Sequence, residues 1–450
     1  MSVASSAIVA LVLAQPPAGG GPGASPPPAQ PSSVQLRGQA AALSGEVAGV
    51  SYAGLLLKTG ADDAGRLISW DRVRAVDGPG ASTAAPFVSF GDGLMRARTR
   101  LERGDAWLAD QAIDPLYRQA SEAGGDGRFA GPSGLLLAEC ALRSGLSRNA
   151  TAGATLAWLR WSAVDRSRPK ANGPDARSPQ WVGGGTNLPA VVDASTGLCP
   201  QLPPIFPHHS PSSAGMLRLL VQSSEIQRMS ADGAPSRALA VSYALAARIA
   251  AGDIQSGEAV ALPAPSGDAE QLVVDIVAAQ TAPSEPMRAA RQRLQKRLES
   301  LQRDAETRET ADESAAPVDR TWQRAWLHAA VGRSMLAEEQ IAVRRQGMIE
   351  LLHVPALDGA TQPGLAATAL LDVIDQLRRD PGVEGHAAAI VALTNELKTR
   401  FGVDPSPIEP EPAPADQPVA QPPAVPAAAP AEPAASPPSP SPAPPSKEVP

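Results

Sequence analysis

Apolar residues along this chain change their period near residue 88. Between residues 34 and 78 they come in short runs, Val47–Val50, Leu55–Leu57, Leu67–Ile68 and Val73–Val76, punctuated by Gly45, Gly49, Gly54, Gly60, Gly65 and Gly78. Short apolar runs bounded by glycines predict strands, with a hairpin loop from Lys58 to Gly65. After residue 88 the spacing becomes three and four. Leu94, Ala97 and Leu101 lead to Gly104, Leu142 to Gly145, and Ile249 to Gly252. Each pattern predicts a helix with a small or apolar face that stops at a glycine. Asp114-Pro115 reads as an N-cap followed by proline at the first helical position of another helix.

The period is clearest towards the C-terminus. Leu370, Val373, Ile374 and Leu377 share one helix face, and Ile390, Thr394, Leu397 and Phe401 share another, stopped by Gly402 and Pro405. Trp322 and Trp326, four apart, belong on one side of a helix and to the core. Residues 287–313 carry a stripe of Leu294, Leu298, Leu301 and Ala305 on a strongly charged background. Arg288, Arg291, Arg293, Lys296 and Arg297 come first, while Glu306, Glu309, Asp312 and Glu313 come last. That order opposes the helix dipole. The i,i+4 pairs Glu299–Arg303 and Asp304–Arg308 offset it by about 0.2–0.5 kcal/mol each. A solvated connecting helix that frays near Ala311 is expected.

The helical pattern stops between Asp165 and Ser213, where nine prolines and Gly183-Gly184-Gly185 make a long loop insertion. Loops of this length inside a compact domain are uncommon and often functional. The glycines themselves suit a flexible turn. His208 and His209 lie in this loop, but adjacent residues on an extended backbone point to opposite sides, and no third ligand is in view. No metal, cofactor or catalytic residue is therefore assigned. Cys199 lies in the loop and Cys140 in a helix. They are a possible disulfide in an oxidising compartment, the alternative being two separate thiols.

Composition sets the frame for these elements. Proline is abundant, 47 residues, but seven fall in residues 15–33 and 18 in residues 404–450, so the excess belongs to the ends. With 43% hydrophobic residues and only 3% aromatic, a core must be built from Ala, Leu and Val, which favours close-packed helices. The apolar run Ala7–Ala14 ends in Val12-Leu13-Ala14, with the small residues a signal peptidase requires. The expected organisation is a signal peptide over 1–14, a Pro/Gly-rich linker over 15–33, a small β module over 34–78, a helical body over 88–403 interrupted by 165–213, and a disordered Pro/Ala-rich tail over 404–450. No later apolar run approaches the length of about 20 residues that a membrane span needs. Net charge is −7 and the pI near 5.4, without a basic stripe, which argues against a nucleic-acid partner.

The β module, with a Gly-x-Val strand and a final Ile68-Ser69-Trp70-Asp71-Arg72-Val73 strand, resembles small Sm-like β-barrels, which implies a closed barrel plugged by Trp70. The body resembles tetratricopeptide-type helical-repeat proteins, in which small residues such as Ala97, Ala138 and Ala246 let neighbouring helices approach. Its glycine stops stand 41 and 107 residues apart rather than at a regular 34, and the Trp/Tyr/Pro consensus is absent. The resemblance thus implies a mainly α fold, an irregular α-solenoid of helix pairs behind a small barrel. The whole layout is similar to exported proteins of planctomycete-type bacteria.

There is no HExxH, Walker A loop, GxSxG elbow or GxGxxG fingerprint. Ser167–Lys170 fits SxxK and Lys58–Gly60 fits KTG, but their order is the reverse of that in penicillin-recognising enzymes, and Pro169 interrupts the first. The expectation is a non-catalytic protein-interaction or scaffold protein of the cell envelope or periplasm, binding a protein partner through a helical-repeat groove. The alternative is an envelope hydrolase with a site under the 165–213 loop.

Overall fold

Both periods are realised in the computed structural model, which describes residues 31–60, 63–122, 130–168, 178–207, 211–232, 234, 236–254, 261–281, 284–309, 320–379 and 385–404. The expected signal peptide, most of the linker, His208-His209, the fraying near Ala311 and the tail after Asp404 lie outside the described residues. The described residues form a mainly α protein with one N-terminal sheet, and no helix among them is long and apolar enough to cross a membrane.

Six strands form the sheet: β1 (Ser32–Leu36), β2 (Leu43–Ser51), β3 (Gly54–Lys58), β4 (Arg66–Ile68), β5 (Val73–Asp77) and β6 (Gln180–Val182). Their order is β5-β1-β2-β3-β4-β6. All pairs are antiparallel except β4 with β6, where Leu67 faces Trp181. β1 begins inside the stretch expected to be linker. The sheet does not close, so the barrel expectation is corrected. Helices fill the space that a barrel would fill with its own far wall. Trp70, in a single 3-10 turn between β4 and β5, is fully buried and stacks on Phe87 with ring centroids 5.4 Å apart. Its Nε1–H donates to Ser51 O at 2.6 Å, satisfying the one polar atom of a side chain used for packing.

Thirteen helices follow among the described residues. In the first half these are α1 (Ala81–Glu102), α2 (Ala106–Glu122), α3 (Gly131–Ser147), α4 (Thr151–Arg166), α5 (Pro211–Gln222), α6 (Ser224–Met229) and α7 (Arg237–Ala250). The second half holds α8 (Asp268–Ala279), α9 (Glu285–Glu309), α10 (Thr321–Leu336), α11 (Ile341–Leu357), α12 (Pro363–Arg379) and α13 (His386–Phe401). Gly104, Gly252 and Gly402 end α1, α7 and α13 with positive φ, as the pattern predicts. Two expectations fail. α2 starts at Ala106, directly after the Gly104 turn, so Pro115 falls inside it rather than opening it. Gly145 lies within α3, where an added Cβ would stand 3.0 Å from Ala154 Cα. The glycine there permits the close crossing of α3 and α4, and the chain turns instead at Asn149, whose φ is 54°.

α3 is the wall between two cores. Leu136, Leu137 and Cys140 pack with Val34, Leu55, Ile68, Trp70, Phe90 and Leu94 from the sheet and α1. Leu142 joins a larger helical cluster built on Trp158, Tyr243, Trp326 and the apolar faces of α7 to α12. In that body each helix from α8 to α13 packs on the next, and α8, α10 and α12 also touch side by side. The charged helix α9 buries Met287, Ala290, Leu294 and Leu298. Its early cations are matched across the packing interfaces: Arg288 and Arg291 with Glu338, and Arg293 with Asp275. Asp275 of α8 and Glu338, in the turn after α10, supply acids in addition to Glu285, the acid in the first turn of α9.

Residues 178–207 of the long insertion are a packed strap. Leu198, Cys199, Leu202, Ile205 and Phe206 are buried in the helical core. Gly183 and Gly184 both adopt φ 88°, and a Cβ on Gly184 would stand 2.5 Å from Pro132 O. The glycine run is a tight passage between the sheet and α3 rather than a loose turn.

Candidate binding groove

The side-by-side helices α8, α10 and α12 leave a hollow of about 240 Å³ at their C-terminal ends. Its floor is the buried pair Arg333–Asp372. Arg333 Nε donates to Asp372 Oδ2 at 2.5 Å and Nη2 to Asp372 Oδ1 at 3.2 Å. The bidentate geometry matters because two charges taken from water recover their desolvation cost only when their hydrogen bonds are well made. Gln280, just past α8, completes the floor by accepting from Arg333 Nη1 at 3.1 Å. Its Nε2 donates to Pro204 O at 2.8 Å, which ties the floor to the strap. Asp375 and the exposed Arg379 form the rim, and Leu336 and Ala337 give one apolar wall.

No Ser, Cys, His or Lys is among the residues that line this hollow. Its floor charges are mutually engaged, so the hollow presents hydrogen-bond donors and acceptors held in fixed positions. The floor was invisible to periodicity because Arg333 and Asp372, 39 residues apart, each interrupt an apolar helix face. A charged residue at a core position was the available signal.

A second hollow, about 630 Å³, lies where the strap meets α8, α9 and α10, lined in part by Ser195, Thr196, Arg166, Glu270 and Arg320. It is the place where a site under the insertion would sit. Burial works against the charge of Glu270, but Ser266 N–H, Ser266 Oγ–H and Arg166 outweigh it and hold the carboxyl below its usual range. Glu270 is therefore a fixed carboxylate at neutral pH and not a proton donor.

Cys140 and Cys199 are both buried free thiols, Cys140 with the sheet cluster and Cys199 with the helical one. Burial pushes the Cys199 thiol up to about 12 and the Cys140 thiol higher still. Trp322 and Trp326 are core, with ring centroids 4.8 Å apart. No family model, curated protein or solved structure matches the chain.

Proposed function

We propose that this chain is a non-catalytic interaction protein of the cell envelope, holding an extended polar segment of a partner protein in the groove of α8, α10 and α12. The observation that carries the proposal is the row of alternate helices. Their contact with one another, while α9, α11 and α13 pack as second members of each pair, supports reading the body as an irregular α-solenoid of tetratricopeptide type. Such stacks bind extended partners along one helix layer. Export rests on the apolar run Ala7–Ala14, and the mature chain is expected to begin at Gln15.

A photo-crosslinking residue placed at the exposed position 379 should trap a defined protein from the cell's own envelope fraction. Adding Asp375→Lys at the rim should abolish that adduct. A crosslinker at the exposed Ile349 of α11 should not form it. No adduct from position 379, or equal adducts from both positions, would remove the groove as the binding surface. An N-terminal peptide of the purified native protein starting at Met1 or Ser2 would remove cleavage by signal peptidase.

A further inference from the structure

We propose that His328, Glu350 and His353 form a binding site for one divalent transition-metal ion of the zinc type. Among the described residues they are the one group of three or more His, Cys, Asp or Glu side chains whose ligand atoms all come this close, within 4.8 Å of one another. Glu350 and His353 stand three apart on α11, hence on one face of the helix. His328 comes from α10. The two helices are brought together by Gly332 and Gly347. A Cβ on Gly332 would stand 2.8 Å from Gly347 O, and one on Gly347 would stand 2.8 Å from Gly332 O. His328 is one turn from the first glycine and Glu350 about one turn from the second, so the backbone approach places the three side chains in one spot.

His328 Nδ1 lies 2.8 Å from Glu350 Oε2. A hydrogen-bonded pair would account for those two residues alone. It does not account for His353, whose Nδ1 lies 3.7 Å from the same carboxylate oxygen and is buried without a hydrogen-bond partner. A shared cation satisfies that nitrogen. Gln346 Nε2 donates to Glu350 Oε1 at 3.0 Å, the outer hydrogen bond that orients a ligating carboxylate. Donor atoms each roughly 2.0–2.2 Å from one ion stand about 3–3.5 Å apart, so small side-chain rotations close the set. Two imidazoles and one carboxylate suit zinc, cobalt or nickel rather than calcium or magnesium. The His353 side chain is 42% exposed, which gives the ion an entry path and leaves a fourth position for water.

The test is equilibrium dialysis of the metal-free full-length protein against zinc ion alone. One ion per chain is expected. His353→Ala and Glu350→Gln should each weaken binding tenfold or more, while a chain with both His208 and His209 changed to Ala keeps the ion. His353→Ala is the decisive variant, because the side chain is partly exposed and its metal-free unfolding midpoint should match the wild type. Cobalt(II) bound in place of zinc should show no thiolate charge-transfer band. Absence of stoichiometric zinc, retention of zinc in both single variants, or its loss with His208 and His209 would each overturn the proposal.

Discussion

At the scale of single residues, short polar side chains fix the turns. Asp63 is the clearest case. Its Oδ2 accepts from Thr59 N–H at 3.1 Å and Thr59 Oγ1–H at 2.7 Å, and its Oδ1 accepts from Gly65 N–H at 2.9 Å. These bonds, the Gly65 one foremost, hold the carboxyl at about 2 against an ordinary 3.8. A depressed native value means that the contribution to stability is complete above pH 4 and is lost as the pH falls through 2. Carboxyl NMR titration should place the Asp63 midpoint near 2, with the Thr59 and Gly65 amides shifting in step. A midpoint near 4 would show that the turn is not held this way. The sequence revealed the loop through its glycines, because backbone permissiveness is a property of residue type. It did not reveal the carboxylate that closes it, since any of several Asp residues satisfies a composition rule equally well.

At the scale of elements, glycine carries two opposite meanings. Gly104, Gly252 and Gly402 end helices with positive φ, and there the sequence pattern was sufficient. Gly145, Gly332 and Gly347 lie inside helices where another backbone comes close. Local pattern cannot separate these cases, because the deciding atom belongs to a different helix. The same limit kept His328 from being seen with Glu350 and His353, whereas Pro115 falls inside α2 because that helix opens at Ala106. Two substitutions test the distinction. Gly332→Ala forces a Cβ to 2.7 Å from Leu351 Cγ, and urea unfolding should show a loss of about 1–3 kcal/mol. Gly215→Ala in α5 meets nothing within 4 Å and should gain about 0.5–1 kcal/mol through lower unfolded-state freedom. Equal effects at the two sites would show that helix propensity, and not close approach, governs both.

At the scale of the whole molecule, the unexpected element is the strap. Its prolines and missing period read as a loop, and over the described residues 178–207 the backbone forms little regular structure beyond β6. What the sequence could not show is that helices supply the missing hydrogen bonds. Pro189 O accepts from Arg143 Nη2 at 2.7 Å, Pro200 O from Trp326 Nε1 at 3.0 Å, Leu202 O from the Tyr243 hydroxyl at 2.5 Å, and Pro204 O from Gln280 Nε2 at 2.8 Å. α3, α10, α7 and the residue just past α8 thus hold one irregular segment across both cores. A buried carbonyl left without its donor costs about 1–3 kcal/mol. Tyr243→Phe should therefore open the strap more often while leaving its ring packing intact. Cys199, three residues from Leu202, reports that opening, because its thiol is buried and held protonated at neutral pH. Its labelling by a thiol reagent should accelerate about five- to thirtyfold in the variant, the factor corresponding to 1–2 kcal/mol. Cys140, in α3 beneath the sheet, should label at its wild-type rate. Equal acceleration of both thiols would mean that the strap opens only with the whole core. Uptake of fewer than two equivalents by the fully unfolded, unreduced chain would show that the thiols are not both free. Selective acceleration at Cys199 would establish the strap as a locally opening unit, tied through Gln280 to the floor of the groove that it borders.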